Sequence, residues 1–294
     1  MRRLLIIGCG DVALRAIPML KKRYRIFALV RDPAKREGLR AIGVSPLLGD
    51  LDDRASLVRA TGFADAVLHL APPPNTGMHD TRTRNLLSAL SRGRDRRRNL
   101  PKRLVYISTS GVYGNCNGEW VSETRPIYST SARAQRRADA EDRIRNWARR
   151  NHVNAGILRV PGIYAADRLP LSRLRQGTPC IIDSEDSYTN HIHADDLARI
   201  SVAALQRGKA CRIYHACDDS QLKMGEYFDS VAEAFGLPRV PRVSRAEAQH
   251  VLSEMMLSFM NESRRLTNRR MKRELKVKLN YPTVADMLAA VKNS

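Results

Sequence analysis

The chain has 294 residues, 51 Lys and Arg against 30 Asp and Glu, and a formal net charge of +21 at pH 7; 43% of its residues are hydrophobic and 5% aromatic. This length buries a full core, as one large domain or two closely joined ones, and no apolar run approaches the ~20 residues that cross a bilayer. Basic clusters at 92–98, 133–150 and 264–278 lack interleaved aromatics, and basic residues are spread along the whole chain, which favours ordinary solvated faces over a nucleic-acid surface.

Five cysteines, Cys9, Cys116, Cys180, Cys211 and Cys217, show no paired spacing, so neither a disulfide framework nor a zinc site is expected. The basic start before a short apolar run mimics a signal peptide, but the run stops at Ile7 in glycines. A cytoplasmic location is the expectation.

The most informative stretch comes first. Leu4-Leu5-Ile6-Ile7 reads as a strand, Gly8-Cys9-Gly10-Asp11-Val12-Ala13 as a glycine turn, and the apolar-periodic run to Leu20 as a helix. This is what a dinucleotide needs. Gly8 turns the chain, Gly10 admits a pyrophosphate to the backbone, Ala13 lets helix and strand pack, and the phosphates meet the positive end of the helix dipole. A plain structural turn is the alternative. A second strand at 24–30 follows at βαβ distance and ends in Arg31-Asp32-Pro33. An acidic residue here suits the ribose hydroxyls of NAD and an arginine the 2′-phosphate of NADP, so the mixed pair leans to NADP through Arg31, with NAD possible.

Further along, a helix at 35–41 and a strand at 44–48 lead to Gly49-Asp50-Leu51, which places an acceptor near the adenine rim. Asp52 or Asp53 is positioned to cap a helix at 54–60. The run 66–71 reads as a buried parallel strand, stopped by Pro72-Pro73-Pro74 at the end where open α/β sheets bind ligands. Within it, His69 reads as a packed, hydrogen-bonded core residue. A helix at 80–90 precedes an arginine-rich connection that runs to Asn99. Leu104 to Ile107 then form a strand closed by Ser108-Thr109-Ser110, followed by a polar loop at 115–121, a long helix at 129–150 and a strand at 154–160.

These segments resemble the extended or atypical short-chain dehydrogenase/reductases, the NAD-dependent epimerase/dehydratase group. The likeness rests on the glycine turn, Gly49-Asp50-Leu51, His69-Leu70-Ala71, Ser108 to Gly114, Leu158 to Tyr164, and Ile192-His193-Ala194-Asp195-Asp196-Leu197-Ala198. It implies an α/β fold with a Rossmann-type doubly wound parallel sheet over residues 1–163. A smaller, interleaved α+β substrate-binding part covers 164–294, with 212–217 returning to the main sheet. It also implies cofactor contacts at Gly8, Gly10, Asp11, Val12, Arg31, Asp50, Leu51, Ala71 and Pro72.

In such proteins a hydroxyl at the position of Thr109 works with a Tyr-x-x-x-Lys pair on the next helix: the tyrosine shuttles a proton, and the lysine holds the ribose and lowers the tyrosine pKa. Here the pattern breaks. Glu141 matches the acidic residue four positions after that lysine, which puts Arg137 at the lysine position and Arg133 at the tyrosine position. Tyr128 has Ala132 where its lysine belongs. Arg137 is suited to ribose or phosphate and Arg133 to an anionic substrate or the cofactor, but an arginine stays protonated and shuttles nothing. Thr109 would polarise the reacting oxygen, with Tyr128, Tyr113 or water as proton source.

Two readings result. One is an NAD(P)-dependent oxidoreductase or epimerase/dehydratase-like enzyme acting on a carbonyl or hydroxyl group, a nucleotide sugar or another anionic compound. The other is a catalytically inactive dinucleotide-binding protein that reports redox state or scaffolds a partner.

In the C-terminal part, a helix begins at 169–174 and another opens after His191-Ile192-His193. That histidine pair has no third ligand evident, so no metal is expected. Amphipathic helices are read at 224–235 and 244–260, and a cationic, solvated helix within 268–279. Methionines in 253–260 either line a pocket or fill core. Segments 80–90 and 131–150 are the candidates for a homodimer contact.

Overall fold

The computed structural model describes residues 1–60, 62–92 and 100–292. β1 (Arg2–Ile7), β2 (Tyr24–Val30), β3 (Ser45–Leu48), β4 (Ala66–His69) and β5 (Arg103–Thr109) are interleaved with α1 (Asp11–Leu20), α2 (Lys35–Ala41) and α3 (Thr81–Leu90). There follow β6 (Trp120–Val121), α4 (Ala132–Asn151), β7 (Asn154–Val160), β8 (Gly162–Tyr164), α5 (Leu171–Arg175), β9 (Cys180–Ile181), β10 (His191–His193), α6 (Ala194–Arg207) and β11 (Arg212–His215). The chain closes with α7 (Met224–Ala234), β12 (Arg242–Val243), α8 (Arg245–Val251), α9 (Glu254–Met260), β13 (Arg265–Leu266), α10 (Arg269–Leu275) and α11 (Val284–Lys292).

Among the described residues, seven strands form one sheet in the order β11-β7-β5-β4-β1-β2-β3, every neighbouring pair parallel. This is the Rossmann-type order, with β11 added beside β7. The reason is visible in β1, where alternate side chains serve opposite faces. Leu4 and Ile6 join a core with Ile17 of α1 and Leu197 of α6; Leu5 and Ile7 join another with Leu86 of α3 and Ile144 of α4. A strand buried on both faces needs helices on both, so the sheet is doubly wound.

Several local expectations shift. β4 stops at His69 because the Leu70 and Ala71 amides both turn to the Ile7 carbonyl, at 2.7 and 3.0 Å. The segment expected as a helix at 54–60 is a 3-10 turn, Ala55–Ala60, with Asp53 Oδ1 accepting from the Ala55 amide at 3.0 Å. The single helix read at 244–260 is two: α8 ends before Leu252, and Ser253 caps α9 by accepting from the Met256 amide. The cationic helix within 268–279 is not simply a solvated surface, since α10 buries Met271 and Leu275 completely in the sheet's core. The arginine-rich stretch 93–99 lies outside the described residues.

The smaller core gathers Tyr164, Leu174, Ile181, Phe228, Val231 and Met287, among others, from β8 to α11. It is tied to the sheet through α6. Asp196, fully buried, accepts from the Asn280 and Tyr281 amides at 2.8 and 2.9 Å, and Asp195 accepts from Arg15 of α1 at 2.7 Å. His193 caps α6, its Nδ1 accepting from the Asp195 amide at 3.2 Å.

Candidate functional site

A groove crosses the carboxyl ends of the strands, where the loops after β1, β2, β3 and β4 converge. Gly8, Gly10, Arg31, Asp50, Leu51, Ala71 and Pro72, each expected from the sequence to face a cofactor, line one stretch of it, a cavity of about 390 Å³. Gly8 has φ +86°, and a Cβ there would lie 2.5 Å from the Ala71 amide nitrogen; the glycine is needed by the packing of the turn against its own chain. Gly10 differs. It is the N-cap of α1, gives that helix no side-chain cap, and faces open space where its Cβ would be. The start of α1 is therefore left without a side-chain cap beside the groove, the kind of end that favours an anion.

Asp11 and Val12 are not among the residues lining the groove. Asp11 is bound by Arg15 Nε at 2.7 Å and Arg168 Nη1 at 3.1 Å, which moderates its charge near the helix start, and Val12 packs on the core. Two residues not singled out beforehand, Lys35 and Arg82, add positive charge to the groove wall. Arg82 is held by Asp52 at 2.6 Å.

At Pro72 the groove meets a larger cavity of about 890 Å³, lined on the sheet side by Thr109, Arg133 and Arg137 and on the other by Tyr164, His191, Tyr227 and Phe259. Thr109 ends β5 and caps the 3-10 turn Ser110–Tyr113, its Oγ1 accepting from the Gly111 amide at 3.1 Å. The hydroxyl proton remains available to an oxygen in the cavity. Arg137 donates from Nη1 to the Ile107 carbonyl at 2.7 Å and the Tyr106 hydroxyl at 3.0 Å. Arg133 stacks over the Phe259 ring, 4.1 Å from its centroid, and burial lowers the pKa of its guanidinium.

Burial also holds His191 neutral, its pKa near 3, and keeps Tyr164 and Tyr227 protonated by raising theirs. Behind Tyr164 lies Asp218, whose carboxyl is raised by burial to about 7.

Tyr128 is not brought into this cavity. Its side chain is 73% exposed while its backbone is pinned by the Val112 carbonyl at 2.9 Å. Tyr113 turns the other way, its hydroxyl donating to His215 Nε2 at 2.6 Å. His215 Nδ1 donates to the Thr267 carbonyl at 2.9 Å, which fixes that tautomer. His69 is a core residue whose Nε2 meets the Thr83 hydroxyl at 2.9 Å, and burial lowers its pKa to about 3. Arg136, Glu262 and Arg264 line the cavity without having been anticipated; nothing local in the sequence marks one arginine of a basic cluster as a pocket residue.

Among the described residues no group of three His, Cys, Asp or Glu side chains is placed to hold a metal ion, and no helix is long and apolar enough to cross a membrane.

Fold and groove together define an open α/β protein with a groove across the carboxyl edge of its parallel sheet. The chain belongs to the NAD dependent epimerase/dehydratase family, whose sequence profile matches residues 13–217. It is 23% identical over 245 residues to an uncharacterised protein of Schizosaccharomyces pombe, covering 79% of each chain. A functionally unknown conserved protein from Silicibacter pomeroyi DSS superposes with a TM-score of 0.79 at 27% identity, covering 100% of this chain and 99% of that one. The dTDP-glucose 4,6-dehydratase of Streptomyces venezuelae, with NAD and TYD bound, superposes at 0.76 with 20% identity, covering 99% and 96%.

Proposed function

We propose that this chain binds a dinucleotide, NADP in preference to NAD, and acts as an oxidoreductase or epimerase/dehydratase-like enzyme on a carbonyl or hydroxyl compound such as a nucleotide sugar. One observation carries the reading: the groove lined by Gly8, Gly10, Arg31, Asp50 and Ala71 runs at Pro72 into the cavity that holds Thr109. The residues fit the cofactor, since Gly10 leaves open space over an uncapped helix start and Arg31 stands where the adenosine end is expected. When bound, the nicotinamide supplies hydride transfer. The Thr109 hydroxyl donates to the reacting oxygen, and Arg137, anchored on Ile107, holds the ribose side. The similar Streptomyces dehydratase, which carries NAD and TYD, supports a dinucleotide in the groove; the preference for NADP rests on Arg31 alone.

A second reading has its own observation. The positions expected for a tyrosine and a lysine hold Arg133 and Arg137, which stay protonated, and Tyr128 is outside the cavity. On that reading the protein binds the dinucleotide and catalyses nothing. Calorimetric titration with NADPH and NADH tests the shared claim, and binding of neither sinks both. Oxidation of NADPH with any member of a panel of carbonyl compounds selects the enzyme; binding without turnover across the panel selects the other.

A further inference from the structure

Resting on the reading that the cavity beside Thr109 takes the substrate, the geometry points to an oxyanion seat within it. There Arg133, backed by Arg136 and Arg264, grips a carboxylate or phosphate group of the substrate.

Arg133, Arg136, Arg137 and Arg264 all line this one cavity, and among the described residues Glu262 is its single acidic lining residue. Glu262 is already taken by Arg264 Nη1 at 2.9 Å. The wall therefore carries positive charge that the protein does not neutralise, in a place where water is partly excluded; such charge is costly until an anion arrives.

The individual donors say the same. Arg133 gives none of its N–H groups to a protein acceptor among the described residues; it is steadied by the face of Phe259, a contact that leaves the guanidinium edges free. Arg136 and Arg264 are 7% and 8% exposed, and each keeps a buried Nε without a partner. Both heads are fixed from the protein side, Arg136 by Nη1 on the Gly77 carbonyl at 2.6 Å and Arg264 by Nη1 on the Gly114 carbonyl at 2.9 Å. A guanidinium with free edges, set beside two fixed arginine heads, calls for acceptor oxygens, and the planar arginine fork matches the paired oxygens of a carboxylate or phosphate.

The consequence is a substrate class. A hydroxy or oxo compound that bears an oxyanion is favoured over its neutral counterpart, and Arg133 sets that preference from the position where a proton-transferring tyrosine is otherwise expected.

The test is calorimetry with UDP-glucose and UDP-glucuronate, which differ by a carboxylate on the sugar, on the protein alone and after saturation with NADPH, with inorganic pyrophosphate as competitor. A sugar carboxylate in the seat makes UDP-glucuronate bind about tenfold tighter or more, and Arg133→Gln returns the ratio to about one. A diphosphate in the seat leaves the ratio near one in the wild type, weakens both ligands about tenfold in Arg133→Gln, and lets pyrophosphate compete in the wild type alone. Affinities and a ratio untouched by Arg133→Gln overturn the seat, as does wild-type protein that binds none of these anions. Arg133→Lys, which keeps the charge and loses the fork, replaces the glutamine variant if the latter does not fold, and is expected to weaken the preference. NADPH binding to Arg133→Gln reports on the groove separately. Wild-type protein that takes the UDP ligands but no dinucleotide sinks the proposed function and leaves the seat standing.

Discussion

Arg159 of β7 grips Glu141 of α4 with both ends of its fork, Nε to Oε1 at 3.0 Å and Nη2 to Oε2 at 2.7 Å, and both residues are sealed from solvent at 1% and 0% exposure. This pair fixes α4 against the sheet one turn after Arg137. It therefore sets where Arg133 and Arg137 reach the cavity.

Breaking one side of a buried pair costs about 3–5 kcal/mol when the charge left behind has no other partner, and here Arg145 still reaches Glu141 Oε2 at 3.0 Å. Arg159→Met is therefore expected to lower the unfolding free energy by about 3 kcal/mol, the lower end of that range, in urea titration, with a fall in melting temperature of roughly 10 °C. The double variant with Glu141→Leu is expected to recover much of the loss. A single variant as stable as the wild type would show that the pair does not hold the helix.

The two glycines of the first turn should separate fold from ligand. Gly8→Ala forces a Cβ against the Ala71 backbone at a left-handed φ and is expected to cost at least about 2 kcal/mol of stability. Gly10→Ala meets nothing in the protein, so its melting temperature should stay at the wild-type value while dinucleotide affinity falls. Equal loss of stability in both would contradict this division of labour.

Arg31 lines the groove beyond the end of β2 and is exposed. Arg31→Ala is expected to weaken NADPH binding roughly tenfold or more, the worth of a charge-assisted bond to phosphate, and to leave NADH unchanged. Parallel calorimetric titrations measure both, and equal losses would remove the NADP preference.

Acid should destabilise the protein from just below neutrality. His69, His191 and His215 are each depressed by burial from 6.5 to about 3, so their contribution to stability is whole above pH 6.5 and is lost as pH falls toward 3. Each costs about 1.4 kcal/mol per pH unit in that window. Asp218, raised from 3.8 to about 7, works oppositely: its neutral form is favoured in the folded state, so it regains stability as pH falls through the same range. The histidines outnumber it, and unfolding free energy measured from pH 7 to pH 5 should decline. His69→Gln should flatten the decline and Asp218→Asn should steepen it; a flat profile in the wild type would show that these rings are not held neutral.

Much of the frame was legible in the chain because it is written locally. β1, the glycine turn and α1 rest on adjacent residues whose alternation and backbone freedom can be read off directly, and the residues proposed to face the cofactor sit at strand ends that the same pattern marks. The assignment of Arg133 and Arg137 needed more than local pattern: it rested on the family resemblance, counted back from Glu141.

What sequence by itself determined, then, is the parallel α/β order of the sheet and the glycine turn at its carboxyl edge; the expectation that Arg133 and Arg137 stand where a tyrosine and a lysine belong came through the family resemblance. Tertiary structure alone decided which residues share the cavity. It joined Arg133 to Phe259 and Arg136 to the neighbourhood of Arg264 across more than 120 positions of chain, and it left Tyr128 outside. It also split 244–260 into two helices and drew α10 into the core. Local periodicity reports which face of an element is apolar; what that face meets depends on chain packing, and charge buried by convergence leaves no trace in the residues on either side of it.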